Sequence, residues 1–368
     1  MATTSIKAKC HCGKNEIPLD LPTSSLPLPL LLCHCDSSRH VSGALFTGYA
    51  ALPDTPELLK SALDGNSPLH LTSYDSSEAI RRFFCSTCGA HMVACHKPSG
   101  KWKVANGVLD KIEGIIEVKG HMWVGDTKDG GSADWMIEMG GKQMERRREG
   151  PESEQLPLGW KASIHTDQNT AEDRLRGRCH CGGVDFYVSR PNESSKNAHT
   201  PYPDLMAPNG QPHLNPRHES WWLSGDGSRY AVGTCACDSC RLVTGFPIAT
   251  WLFVPLSNVS QSDGSPMDFE AGTLTKYVSS PIVQRYFCGK CGATAFWDSD
   301  ERTALIDVGI GLLRAAEGAR AERWLEWWTS RVSFEGDAID RALVESLQRG
   351  IGEWGRKHHD GDGGAEIQ

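Results

Sequence analysis

Apolar residues come in short runs along most of the chain. "GVDFYV" (183–188), "IATWLFV" (248–254) and "TALIDVGI" (303–310) are each bounded by turn residues at short intervals, the pattern of strands in a β-rich protein. A helical period emerges only near the end, where Ile339, Leu343, Leu347 and Ile351 recur within "DAIDRALVESLQRGIGEWGRK" (337–357). That spacing predicts a C-terminal helix packed on the second half of the chain. The tail "HHDGDGGAEIQ" (358–368) reads as disordered. The richest apolar stretch, "LPLPLLL" (26–32), is short and broken by prolines, so no membrane span is expected. The opening "MATTSIKAKCHCG" has no apolar run of the signal-peptide kind. The expectation is a mainly β, soluble, cytoplasmic protein.

The strand pattern occurs twice. "LTSYDSSEAIRRFFCSTCGA" (71–90) matches "LTKYVSSPIVQRYFCGKCGA" (274–293), and "LLCHCDSSRH" (31–40) matches "GTCACDSCRL" (233–242). Cys35 to Cys85 spans 50 residues and Cys237 to Cys288 spans 51, which argues for duplication. The copies differ between Cys12 and Cys33 on one side and Cys181 and Cys235 on the other, where the second carries 33 extra residues. This division gives a first domain over 1–140, a linker over 141–172 and a second domain over 173–345. An insertion lies near 190–222, and the helix end and tail occupy 346–368. The insertion, with His199, His213 and His218, reads as an exposed surface loop. The run "RRRE" (146–149) reads as solvated linker.

Composition narrows the function. The formal charge is -8 and the pI about 6.0, so a nucleic-acid partner is not expected. The 14 cysteines, in a chain with no secretory signal, point to metal rather than disulfides. Cys10, Cys12, Cys85 and Cys88 form one set of four thiols; Cys179, Cys181, Cys288 and Cys291 form another. Four thiolates saturate a tetrahedral Zn²⁺ and make a structural site. Iron–sulfur ligation is the alternative, without a ferredoxin spacing to support it. Cys235, Cys237 and Cys240 are three thiols, one short of closure. Held on zinc they leave a position for water or substrate; the alternative is packing thiols or a redox pair. Cys33 and Cys35 are the matching pair, with Ser38 where Cys240 stands; His40 reads as an exposed or hydrogen-bonded histidine, the alternative being a replacement third ligand. Cys95 reads as an ordinary thiol. Arg241, Lys276 and Arg285 lie near in motif terms and read as surface charges.

The order C-x-C-G, C-x-C-x-x-C-R and F-C-x-x-C-G resembles the glutathione-dependent formaldehyde-activating enzyme family, which includes centromere protein V. "CHCGG", "CACDSCRLVTG" and "YFCGKCG" carry the resemblance in the second half; "CHCG", "CHCDSSRHVSG", "FFCSTCG" and "NGVLD" carry it in the first. It implies two tandem copies of a zinc-binding Mss4-like β-fold. It also implies structural zinc on the outer cysteines and an active-site zinc on Cys235, Cys237 and Cys240. The implied activity is that of a carbon–sulfur lyase, adding a thiol such as glutathione, the possible co-substrate, to a carbonyl or splitting the adduct. The second copy departs from the family in Ala236 and in "DVGIGLL" (307–313), and the first in Ser38. Two other readings stay open: a non-catalytic zinc-stabilised binding or scaffold protein, and an enzyme for a larger thiol adduct whose pocket the insertion shapes.

Overall fold

A computed structural model of the chain describes residues 2–63, 67–163, 173–207 and 214–359. Residues 164–172 of the expected linker, His213 and the tail beyond 359 lie outside them. The protein is mainly β, with few helices. An eight-stranded mixed sheet occupies the first half and a seven-stranded one the second.

The two sheets repeat one plan. In the first, Leu28–Cys33 pairs in parallel with Ile116–Met122 and antiparallel with Thr47–Ala51. The sheet continues through Lys101–Ala105, His91–His96 and Ile80–Cys85 to Leu71–Asp75. In the second, Tyr230–Cys235 pairs in parallel with Leu325–Trp327 and antiparallel with Ala249–Pro255. Leu305–Gly309, Thr294–Ser299, Val283–Cys288 and Leu274–Ser280 follow. Hence Ile80–Cys85 of the first half matches Val283–Cys288 of the second.

Short helices follow the first central strand of each half: α1 (Asp36–Ser42), with α2 (Glu57–Leu63) further on, and α3 (Asp238–Thr244). The C-caps of α1 and α3 are Gly43 and Gly245, at φ 78° and 89°, where an L side chain is strained. A Cβ there would also lie 2.0 Å from the Thr294 carbonyl oxygen or 2.2 Å from that of His91. Each glycine therefore lets one half's helix seat against the other half's sheet.

The rest of the interface obeys the same twofold rule. Gly107 N donates to Gly245 O, and Gly311 N to Gly43 O. His11 N donates to Leu242 O, and His180 N to His40 O. The His11 ring meets the Tyr277 hydroxyl at 2.7 Å, and the His180 ring meets that of Tyr74 at 2.7 Å. One continuous apolar core runs through both halves, from Ile6 and Leu32 to Leu312 and Ile351.

Three expectations need correction. The C-terminal helix, α4 (Arg341–His359), buries Leu343, Leu347 and Ile351, but it straddles both halves instead of packing on the second alone. Its Trp354 packs on Trp135 of the first half, and its Ser346 hydroxyl donates to Glu138 O. The expected linker begins inside the first sheet: Glu145–Arg146 pairs with Gly120 and His121. Arg146 of the "RRRE" run is buried, its backbone paired at the strand edge and its guanidinium donating to Leu156 O. The described part of the insertion is not a solvated loop. Ala198, Leu205, Trp221 and Trp222 are buried, and Asp204 accepts hydrogen bonds from Ser333 and from Phe334 N. His199 and His218 are exposed, as expected, and touch ring to ring.

Candidate metal and active site

The outer cysteines converge as their spacing predicts. Cys10, Cys12, Cys85 and Cys88 place their Sγ atoms within 4.8 Å of one another, and so do Cys179, Cys181, Cys288 and Cys291. Pairs such as Cys12–Cys85 and Cys181–Cys288 sit at 3.5 and 3.4 Å, near the separation of about 3.8 Å that follows from tetrahedral Zn–S bonds of about 2.3 Å. Backbone N–H groups aim at the sulfurs: Asn15 N at Cys10, Thr87 N at Cys85, Val184 N at Cys179 and Cys291 N at Cys288. Such donors suit thiolates, and all fourteen cysteines are free of disulfides. Both sets fit a tetrahedral cation.

The middle set gathers in the second half alone. Cys235 ends the strand Tyr230–Cys235, Cys237 caps α3, and Cys240 lies in its first turn. Their Sγ atoms lie within 4.8 Å of one another, and Cys240 N donates to Cys237 Sγ at 3.3 Å. The Arg285 guanidinium reaches Cys240 Sγ at 3.7 and 3.8 Å. Hydrogen bonds from the Cys235 and Cys237 thiols, with the Arg285 charge behind them, hold Cys240 well below the usual thiol range. Three converging thiols, one of them held below the usual thiol range, fit a cation that keeps an open position.

The first half keeps the geometry without the third sulfur. Cys33 and Cys35 lie 3.5 Å apart, and the Ser38 hydroxyl donates to Cys33 Sγ at 3.4 Å. Arg82, the counterpart of Arg285, donates to Ser38 Oγ at 3.0 Å. His40 does not join these thiols; its ring contacts Arg314. His34 turns away to pair with His121 at 3.0 Å.

Sequence reasoning misplaced two arginines. Arg285 and Arg241 are buried. Arg241 pairs with Asp238 at 2.6 Å and donates to Gly107 O at 2.7 Å, so it ties α3 to the first half. The signal for Arg285 was present: both copies read Arg-aromatic-Phe-Cys, in "RFFC" (82–85) and "RYFC" (285–288). Lys276 is exposed, as expected.

A model of the glutathione-dependent formaldehyde-activating enzyme family matches residues 5–126 and 223–331. The chain belongs to this family. Each matched segment falls in one half, and the gap before the second spans the insertion. Proteins of Talaromyces marneffei and Phaeosphaeria nodorum, both assigned by name as glutathione-dependent formaldehyde-activating enzymes, are 34% and 35% identical to this chain over 86 residues. Those stretches cover 23% of this chain and 42% of each relative.

The family member's candidate site has a distinctive wall. Cys235, Cys237 and Cys240 belong to a second apolar cluster with Trp251, Phe253, Leu205 and Trp221. The insertion supplies Leu205 and Trp221, and Leu205 lies so close to Gly233 that a Cβ there would meet it at 2.2 Å. Trp221 stacks edge-on against Phe253, with ring centroids 5.1 Å apart.

Proposed function

We propose that the second half forms or cleaves a carbon–sulfur bond between a thiol such as glutathione and a carbonyl compound, on zinc held by Cys235, Cys237 and Cys240. The carrying observation is that these three thiols converge under Arg285, while Ser38 replaces the third thiol in the first half. Bound zinc would lower the pKa of an incoming thiol and present its sulfur as a thiolate. The protein's own groups then have defined work. Arg285 offsets the charge of Cys240 and keeps that ligand in place. The apolar cluster of Trp251, Phe253 and Trp221 around these thiols would lower the local dielectric in which adduct and thiolate meet.

In this reading the chain is two Mss4-like units, about 1–140 and 173–345. The outer cysteine sets hold structural zinc, and the first unit no longer activates a thiol. A reducing cytoplasm would keep the fourteen cysteines available as thiols. The test is turnover of glutathione and formaldehyde, or of the adduct, by the zinc-loaded protein, followed by NMR against the uncatalysed rate. Catalysis lost in Cys240→Ser supports the reading; a parent no faster than buffer overturns it.

A further inference from the structure

One cross-strand row runs under the open thiols of the second half: Arg285 pairs with Trp297, Trp297 with Asp307, and Asp307 with Phe253. Residues opposed across antiparallel strands share a face, and Phe253 shares its face with Cys235 and Trp251 in one cluster. Asp307 therefore looks toward the cysteine site. The same row in the first half reads Arg82, Ala94, Lys103 and Ala51. The arginine stays, while two alanines become Trp297 and Phe253 and a lysine becomes Asp307. The half that kept three thiols is thus the half with a carboxylate beneath them.

Asp307 is only 5% exposed. Its Oδ2 accepts from Arg302 Nη2 at 2.8 Å, and its Oδ1 is buried with no hydrogen-bond partner among the described residues. Arg302 in turn lies over the Trp297 ring, 4.4 Å from its centroid. One oxygen is anchored, then, and the other is buried between the Trp297 and Phe253 positions of the row without a partner among the described residues. A buried polar atom left so is costly unless it has a use.

We propose that Asp307 is the general acid–base of the second-half site. This rests on the thiol-adduct reading and names the group that handles its proton. In the forward direction the Asp307 carboxylate takes the proton of the incoming thiol. The sulfur attacks the carbonyl carbon, a C–S bond forms, and the C=O π pair moves to oxygen. Asp307 then returns the proton to that oxygen, giving the hydroxyalkyl thioether and the carboxylate again. The reverse path takes the hydroxyl proton, breaks the C–S bond and delivers the proton to sulfur. No other reactant is required.

Groups facing Asp307 are Arg302 from the turn before its strand, Arg285 from Val283–Cys288 and Cys240 from α3. Burial raises its pKa to about 6; Arg302 and Arg285 oppose that rise and Cys240 adds to it. The forward rate needs the carboxylate, so it should rise with pH through about 6 and then level.

The experiment compares zinc-loaded parent and Asp307→Asn, which keeps the side-chain volume. Expected are a fall in kcat of about 100-fold, loss of the limb near pH 6, and unchanged zinc content and glutathione Kd by calorimetry. An infrared pH titration of the same two proteins gives a readout independent of turnover. The parent should show a carboxyl C=O band that titrates near pH 6 and is missing from Asp307→Asn. A variant with parental kcat and the same limb overturns Asp307 while leaving the thiol-adduct reading intact. So does a parent whose infrared titration matches that of the variant. A parent that turns over no adduct overturns the reading and this assignment with it.

Discussion

Ser38 and Cys240 occupy equivalent places beneath equivalent arginines, and the exchange of oxygen for sulfur leaves two converging thiols in the first half against three in the second. A neutral hydroxyl is a poor soft-metal ligand beside two thiols. Because Arg82 already donates to Ser38 Oγ and Cys33 lies 3.4 Å from it, Ser38→Cys should restore a three-thiolate set. Zinc titration should find one more equivalent than in the parent; an unchanged stoichiometry would mean that the first-half geometry no longer accepts a metal. Arg285→Met tests the other half of the pair. Loss of a charge-assisted bond worth about 1.5–3 kcal/mol should weaken zinc at the open site by 10-fold or more in chelator competition, with both closed sites unchanged. The thiols were legible in the sequence because Cys-x-Cys and Cys-x-x-Cys spacings are local. Arg285 was marked by the repeated Arg-aromatic-Phe-Cys motif but its burial was not, and Asp307 was not legible, since its place depends on strand register.

The helix caps fix how the halves meet, and the insertion packs on the second half beside its cysteines. At Gly245 an added methyl would face both a left-handed φ and the His91 carbonyl. Gly245→Ala should therefore destabilise the protein by about 2 kcal/mol or more, read as a lower midpoint in urea unfolding. A parental midpoint would show that the cap can shift without cost. The strands and the C-terminal helix were readable from apolar periodicity. The insertion was not, because its Pro, Asn and His content suggests a loop while its few large apolar residues do the packing. Leu205→Ala removes a buried side chain that lies against the strand leading to Cys235. It should raise KM for the adduct more than it lowers kcat, with stability reduced by about 2–3 kcal/mol; an unaltered KM would take the insertion out of the site.

At the scale of the whole molecule, the two halves behave as a dimer joined by one chain. The duplication was legible from the paired cysteine intervals, whereas the shared core was not, because sequence does not show which faces two similar sheets turn toward each other. A fragment comprising residues 173–359 would expose the surface that Gly43, Gly107 and Trp135 now cover. It should be aggregated by light scattering when made alone and recovered as a soluble pair when made with residues 1–163. A monodisperse, cooperatively melting fragment would show that the halves fold independently. In the proposed function, chemistry resides on the three thiols of the second half while the first half serves as structure. NMR exchange spectroscopy of glutathione, formaldehyde and their adduct with the zinc-loaded parent, Cys237→Ser and Cys35→Ser separates the two roles. Exchange above the uncatalysed rate is expected in the parent and in Cys35→Ser, and none in Cys237→Ser; exchange that survives in Cys237→Ser, or vanishes in folded Cys35→Ser alone, would overturn that division.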